Sequence, residues 1–547
     1  SPDNAHVLYS AEQDTRDVSE LYSARLDGSG PPVKLSGQMV EGGSLPLYSG
    51  GFQISPDGAR VVYRADQDTD ELFELYSAPA DGRAPAVKRN APLPAGRGAY
   101  AYAISPDSQY LVYTADQDTD NVVELYRAAI DGSGSAAKLN GTLVADGSVS
   151  DFMFSPDSNW VVYLADQDTN DVTELYAVPL VGSAAPVKLN GTLPAEGDVG
   201  FGSTFSVSPD SQRVVYLADQ DTNDVDELYS VPISGGTPVK LNPPLVAGGD
   251  VSWVWEAQIS PDSSRVVYLA DQEVNDREEI YSVPLTGGVA TKLNGPLAGP
   301  YPYDFAISPD SSRVVYRARQ DSATRYELYS VPLAGGTPVK LNGTLFSGGQ
   351  VNSFEISRNS GRVVFMADQG TTAGNELYRV PLAGGSVTKV NATLAPDGRV
   401  TNYAIAPDSQ RVVYVADQDT ADVDELYRAP LASPGPVGKL NLALAIGADV
   451  WSYEITSDSQ YVLYLADHTR LDRNDLYRAR LDGAGDPVRL SQGLAGDYYM
   501  YDMAVTPDAA WAVMEVRISG EPDAIYSVPV AGGPPVATLA RPTASYR

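Results

Sequence analysis

Phe205-Ser206-Val207, then Ser208-Pro209-Asp210, Arg213-Val214-Val215-Tyr216-Leu217, Asp219-Gln220-Asp221-Thr222-Asn223-Asp224, Glu227-Leu228-Tyr229-Ser230-Val231, Gly235-Gly236 and Pro238-Val239-Lys240-Leu241 make up the stretch that decides the fold. Four short segments rich in β-branched and aromatic residues are parted by Pro-Asp, acidic and Gly-Gly turns, with no helical period. Such a pattern predicts a small antiparallel sheet of four strands. The Val-Val-Tyr run is apolar on both of its faces, so the sheet has to be covered on both sides.

The stretch recurs along the whole chain. Ser-Pro-Asp starts at Ser1, Ser55, Ser105, Ser155, Ser208, Ser260 and Ser308, and degraded copies start at Ser357, Ala406, Thr456 and Thr506. That makes eleven units at steps of 48 to 54 residues, with no linker between them. Repeats of this length that each form a four-stranded sheet bury their faces by stacking around an axis. The order Ser-Pro-Asp, Val-Val-Tyr, acidic loop, Glu-Leu-Tyr and Gly-Gly, clearest at 155–176 and 208–229, resembles the TolB-like β-propeller repeat. Ser357-Arg358-Asn359 and Asp523-Ala524-Ile525-Tyr526 are its weakest copies. The resemblance implies a propeller with a binding role, in a secreted, periplasmic or cell-surface protein. It names no ligand, because the fold hosts many functions.

The expectation is therefore an all-β protein in which residues 1–547 form one β-propeller of about eleven four-stranded antiparallel blades in one large ring. The alternative is two tandem propellers, of five and six blades. Bulky residues on the innermost strands (Phe52, Tyr102, Phe152, Phe205, Phe305, Phe354, Tyr403 and Tyr453) favour the single ring by holding blades apart near the axis. Only ten copies of the innermost strand are legible, and the tail 541–547 is short for a connection into an eleventh. The chain also opens inside the motif, at Ser1-Pro2-Asp3, which predicts a processed or trimmed form.

Composition narrows the function. Of 547 residues, 43% are hydrophobic and none is cysteine, so a packed core is affordable while disulfides, thiolate metal sites and Cys nucleophiles are excluded. Lys and Arg number 38 against 71 Asp and Glu, a net charge of -33. Nucleic acid and anionic lipid are poor partners for such a surface. No apolar run approaches the roughly 20 residues of a membrane span, so membrane insertion is not expected.

The acidic loop is the candidate metal site. Asp66, Asp68 and Asp70 alternate, as do Asp116, Asp118 and Asp120; the pattern continues as Asp166, Asp168, Asn170 and as Asp219, Asp221, Asn223. Oxygen ligands at positions 1, 3 and 5 suit calcium, with Glu74, Glu124, Glu174 and Glu227 following at position 9. The loops lack the Gly at position 6 and the acid at position 12 of an EF-hand. The competing reading is that these side chains bond to loop backbone and shape the hairpin. Copies with Arg319, Gly370 or His468 break the ladder.

No catalytic residue is expected. Glu-Leu-Tyr recurs too often for a single reaction centre and reads as framework. His468 stands where most units have Gln, and His6 is the one other histidine. All nine lysines fall on the fourth, outer strand, as edge protection or as a basic belt. Asn-x-Thr at Asn140, Asn190, Asn342 and Asn391 arises from the repeat itself. The aromatics that differ between units, Trp253, Trp255, Tyr301, Tyr303, Trp451 and Tyr499, are the candidate ligand and partner residues, suited to sugars or cationic side chains. The function expected is a non-enzymatic binding scaffold, calcium-loaded on its acidic face, for a protein or peptide, or for carbohydrate. Two readings compete: a self-assembling structural subunit of a surface assembly, and a carboxylate-based lyase or hydrolase.

Overall fold

Each Arg-Val-Val-Tyr segment pairs in register with the Glu-Leu-Tyr segment that follows it. The computed structural model describes residues 1–46, 51–94, 96–200, 205–252, 257–299, 301–369, 374–444, 447–468, 473–494, 498–518, 523–533 and 536–540. In blade 4, Val149–Phe154, Trp160–Ala165, Glu174–Pro179 and Val187–Lys188 lie in that order across one antiparallel sheet. Its register sets Tyr163 opposite Tyr176, and the two rings stack with centroids 5.3 Å apart. The same pair recurs as Tyr63–Tyr76, Tyr216–Tyr229 and Tyr414–Tyr427. Stacked pairs of this kind contribute about 0.5–1.5 kcal/mol each beyond the area they bury.

The fold is an all-β, eleven-bladed β-propeller. Ten sheets have four strands among the described residues; the first has three, His6–Ala11, Glu20–Arg25 and Val33–Lys34, with no strand at its inner edge. No helix occurs among the described residues.

By proximity of its residues the chain divides into two compact units. One comprises Ser1–Val214, Val231–Pro238 and Ser491–Arg547; the other comprises Val215–Ser230 and Val239–Leu490. In the first, Val62 and Leu75 of blade 2 pack against Leu111, Tyr113 and Tyr126 of blade 3. In the second, Val315 and Leu328 of blade 7 pack against Val363, Phe365 and Tyr378 of blade 8. The two-sided apolar runs are thus buried between neighbouring blades. The bulky inner-strand residues join these same clusters, Phe52 and Tyr102 in the first unit, Phe354, Tyr403 and Tyr453 in the second.

In both units the Ser-Pro-Asp turn ties neighbouring blades together. Ser105 Oγ donates to Asp107 Oδ1 at 2.6 Å, closing the turn on itself. Ser108 follows with φ of 64°, a left-handed conformation that costs a residue with a Cβ. In return its Oγ accepts the Asp57 N–H of the preceding blade at 3.0 Å. Asp107 to Ser158 and Asp157 to Ser211 continue the chain of bonds in the first unit, and Asp262 to Ser311 and Asp310 to Ser360 do so in the second.

Blade 11 meets blade 1 in the same way. The Asp508 N–H donates to Asn4 Oδ1 at 3.2 Å, and Ser527 Oγ donates to Leu26 O at 2.6 Å, as Ser77 Oγ of blade 2 donates to Ile130 O of blade 3 at 2.7 Å. Two tandem rings of five and six would seat blade 1 against blade 5, so that alternative is corrected.

Candidate functional site

The acidic loop takes its shape from three separate sets of partners. At position 1, Asp66 Oδ1 accepts the Ser44 N–H at 2.6 Å and its Oδ2 accepts the Glu71 N–H at 3.1 Å. Asp116 accepts the Gly98 N–H at 2.8 Å, Asp166 that of Ser148, and Asp219 that of Asp224 at 3.1 Å. At position 3 the partner is lysine: Lys138 Nζ lies 2.8 Å from Asp118 and 2.6 Å from the buried Glu124. Asp68, Asp168 and Asp221 likewise face Lys88, Lys188 and Lys240, which also bond Glu74, Glu174 and Glu227. Position 5 has no partner common to the four loops. Asp70 and Asp120 are exposed, and the amides of Asn170 and Asn223 bond Asp171 and Asp224.

The acids at positions 1 and 3 therefore turn to backbone and to lysine, and no group of three or more acids or histidines that could hold a metal ion occurs among the described residues. The outer-strand lysines face inward to these acids. Grooves of about 710 and 760 Å³ beside them are lined by Glu124, Lys138 and Asn140 in blade 3, and by Glu174, Lys188 and Asn190 in blade 4.

Two roles escaped sequence reasoning. Asn140 is 6% exposed: its Oδ1 accepts the Leu125 N–H and its Nδ2 donates to Gly141 O, both at 2.8 Å. Asn190, Asn342 and Asn391 repeat this, so the Asn-x-Thr sites are structural. Gln167 Oε1 accepts from the Tyr163 hydroxyl and from the Gly141 N–H, both at 2.9 Å, joining the blade to its incoming connection. The recurrence of Asn and Gln at fixed places was the available signal.

Three of the non-recurring aromatics stand on β-bulges. The inner strands of blades 7, 10 and 11 shift register between Pro302 and Asp304, between Val450 and Ser452, and between Met500 and Asp502. The extra residues are Tyr303, Trp451 and Tyr501, exposed by 60%, 59% and 45%. A bulge re-aims one side chain out of the pleat, and here it sets an aromatic in solvent. Ser150, Asn352 and Thr401 fill the same place in blades 4, 8 and 9. Tyr301 and Tyr499 are also exposed, and Tyr499 meets Tyr501 edge-on at 5.0 Å. Trp253 and Trp255 lie outside the described residues.

No protein-family model matches the chain, and no curated protein matches it. Three of the solved structures that it resembles are distant likenesses. A putative TolB from Agrobacterium tumefaciens is 18% identical over 47% of this chain and 83% of its own, with a TM-score of 0.24. A eukaryotic initiation factor is 11% identical over 85% of this chain and 92% of its own, with a TM-score of 0.44. A prolyl endopeptidase is 15% identical over 62% of this chain, with a TM-score of 0.33; the chain spans 49% of its length. None of these likenesses assigns a family or an activity.

The histidines sit in packed surroundings. Burial lowers the pKa of His6 and of His468, and the His468 ring meets Tyr477 edge-on at 4.5 Å. Burial, then the neighbouring Asp449, raises the Asp424 carboxyl. The Asp424 N–H donates to Asp449 at 2.8 Å, and Thr173 with Asp198 and Asp226 with Asp250 repeat that bond, which marks it as framework.

Proposed function

We propose that this protein is a non-enzymatic scaffold that binds a protein or peptide partner through the side chains set out at the start of the inner strands. One observation carries the reading: the aromatics that recur in blades 1 to 10 are buried in stacked pairs, whereas Tyr303, Trp451 and Tyr501, which do not recur, are exposed by 60%, 59% and 45%. Large rings in solvent regain free energy when a partner covers them, and such residues dominate interface energetics. The net charge of -33 adds a long-range attraction for basic partners. The acidic loops then serve as the framework that holds each blade to its connection, and an extracytoplasmic location suits the acidic composition and the resemblance of the repeat to the TolB-like one.

The test is selection of peptides from a random display library, followed by titration of the selected peptides by fluorescence anisotropy. Tyr303→Ser with Trp451→Ser is expected to weaken binding at least tenfold while the melting temperature holds. Enrichment of no peptide, or unchanged affinity in the double variant, would overturn the reading.

A further inference from the structure

Arg319 and Arg517 occupy one place in two blades of the repeat. Pro302 pairs with Ala318 as Met500 pairs with Val516, so Arg319 and Arg517 each come one residue later, facing the Tyr301 and Tyr499 ends of their inner strands. On the other side, Ala318 pairs with Glu327 and Val516 with Ala524, which makes Tyr326 the counterpart of Asp523. The same two places hold tyrosines in both blades, Tyr301 and Tyr303 in one, Tyr499 and Tyr501 in the other, but Arg517 lies over Tyr501 whereas Tyr303 carries Arg317.

The partners of the two arginines differ. Arg517 is neutralised from within: its Nε and Nη2 donate to the two oxygens of Asp523, each at 2.7 Å. In blade 7 the carboxylate is replaced by a phenol ring. The Arg319 guanidinium lies 4.3 Å from the centre of the Tyr326 ring, and its Nε is buried without a hydrogen-bond partner among the described residues. Asp304, the nearest acid of the strand, is already held by both arms of Arg317, at 2.7 Å each. A planar guanidinium on an aromatic face still presents a fork that fits a carboxylate with two parallel bonds. Tyr303, 60% exposed, meets that Tyr326 ring edge-on at 5.2 Å, and Tyr301 is 46% exposed.

We propose that Arg319 receives a carboxylate of a peptide ligand, which supplies the charge that Asp523 supplies to Arg517 in blade 11, while Tyr301 and Tyr303 cover the apolar group beside that carboxylate. The proposal rests on the peptide-scaffold reading above and names the chemistry of one contact within it.

Two probe pairs test it at 150 mM salt, where long-range repulsion from the acidic surface is screened. N-acetylphenylalanine against its amide isolates a C-terminal carboxylate. N-acetyl-aspartyl-phenylalaninamide against its asparaginyl analogue isolates a side-chain carboxylate. In at least one pair the acid is expected to bind about tenfold more tightly than its neutral analogue, a step typical of a charge-assisted bond. Arg319→Asp, which installs the residue found at this place in blades 2 to 6, should abolish that preference; if it does not fold, Arg319→Gln serves the same purpose. Asp523→Ala, which frees Arg517, should raise the stoichiometry from one acid per chain to two. Equal binding of acid and neutral probe in both pairs, or an acid preference that survives loss of Arg319, overturns the proposal. Failure of the scaffold reading shows differently, as a display library from which nothing is enriched.

Discussion

The Tyr464 hydroxyl and His468 Nε2 are buried close together, ring centroids 6.0 Å apart, and neither has a hydrogen-bond partner among the described residues. In blade 4 the same two places hold Tyr163 and Gln167, and the glutamine oxygen accepts both the hydroxyl and a loop N–H. An imidazole cannot reproduce that double acceptance. His468→Gln should therefore stabilise the protein by about 1–2 kcal/mol, the scale of restoring partners to buried polar groups. An unchanged or lower melting temperature would refute this.

The same substitution should alter the pH dependence. Burial lowers the His468 pKa, so the unfolded chain takes up a proton that the folded chain resists. The contribution of His468 is thus full above a pH of about 6.5 and is lost as pH falls toward its folded pKa. Melting curves from pH 7.5 to 5 should show a shallower loss of stability for His468→Gln than for the parent. Parallel curves would exclude the histidine as a source of acid sensitivity.

Lys138 sits between Asp118 and the buried Glu124, and Tyr126 Oη also donates to Glu124, at 2.8 Å. Lys138→Met leaves Glu124 with the tyrosine and an incompletely solvated charge. The lysine is partly exposed, so the expected loss is about 1–3 kcal/mol, below the range for a fully buried pair. Adding Glu124→Gln should recover part of it, a coupling that a double-mutant cycle reads directly.

Asn190 Oδ1 accepts the Leu175 N–H at 2.9 Å deep in the sheet. Asn190→Ala orphans that donor and should cost about 1–3 kcal/mol. Because this amide is committed to the fold, expression in a glycosylating host should add no glycan at Asn140, Asn190, Asn342 or Asn391. Intact-mass measurement decides it.

Calcium is tested by melting with millimolar calcium and with chelator, since a ligand specific to the folded state raises stability. With Asp68 on Lys88 and Asp66 on two backbone N–H groups, the expected shift is under one degree. A rise of several degrees would assign the loops a metal.

Closure of the blade series has its own probe. Ser527→Ala and Ser77→Ala remove the same inter-blade bond, one between blades 11 and 1, the other between blades 2 and 3. Each should cost about 1 kcal/mol. A silent Ser527→Ala beside a costly Ser77→Ala would mean that blade 11 is not seated on blade 1.

Strands and blade count were legible because they depend on local period: Val-Val-Tyr and Glu-Leu-Tyr recur at a fixed spacing in nearly every unit. The partners of the acidic ladder were not legible, for a related reason. Alternation along Asp66, Asp68 and Asp70 says where side chains start, whereas their partners Ser44 and Lys88 lie about twenty residues away in opposite directions.

The amino-acid sequence by itself determined eleven sheets and the order of strands within them, since turn chemistry and two-residue alternation act over a few neighbours. Only the tertiary structure decided which ions are matched and which are not. Lys138 finds Glu124 across 14 residues of chain, Arg517 finds Asp523 from the adjacent strand, and Arg319 in the equivalent place finds a tyrosine ring. Electrostatic and hydrogen-bond partners are chosen by distance in space, and a bulge of one residue is enough to change which side chain faces water.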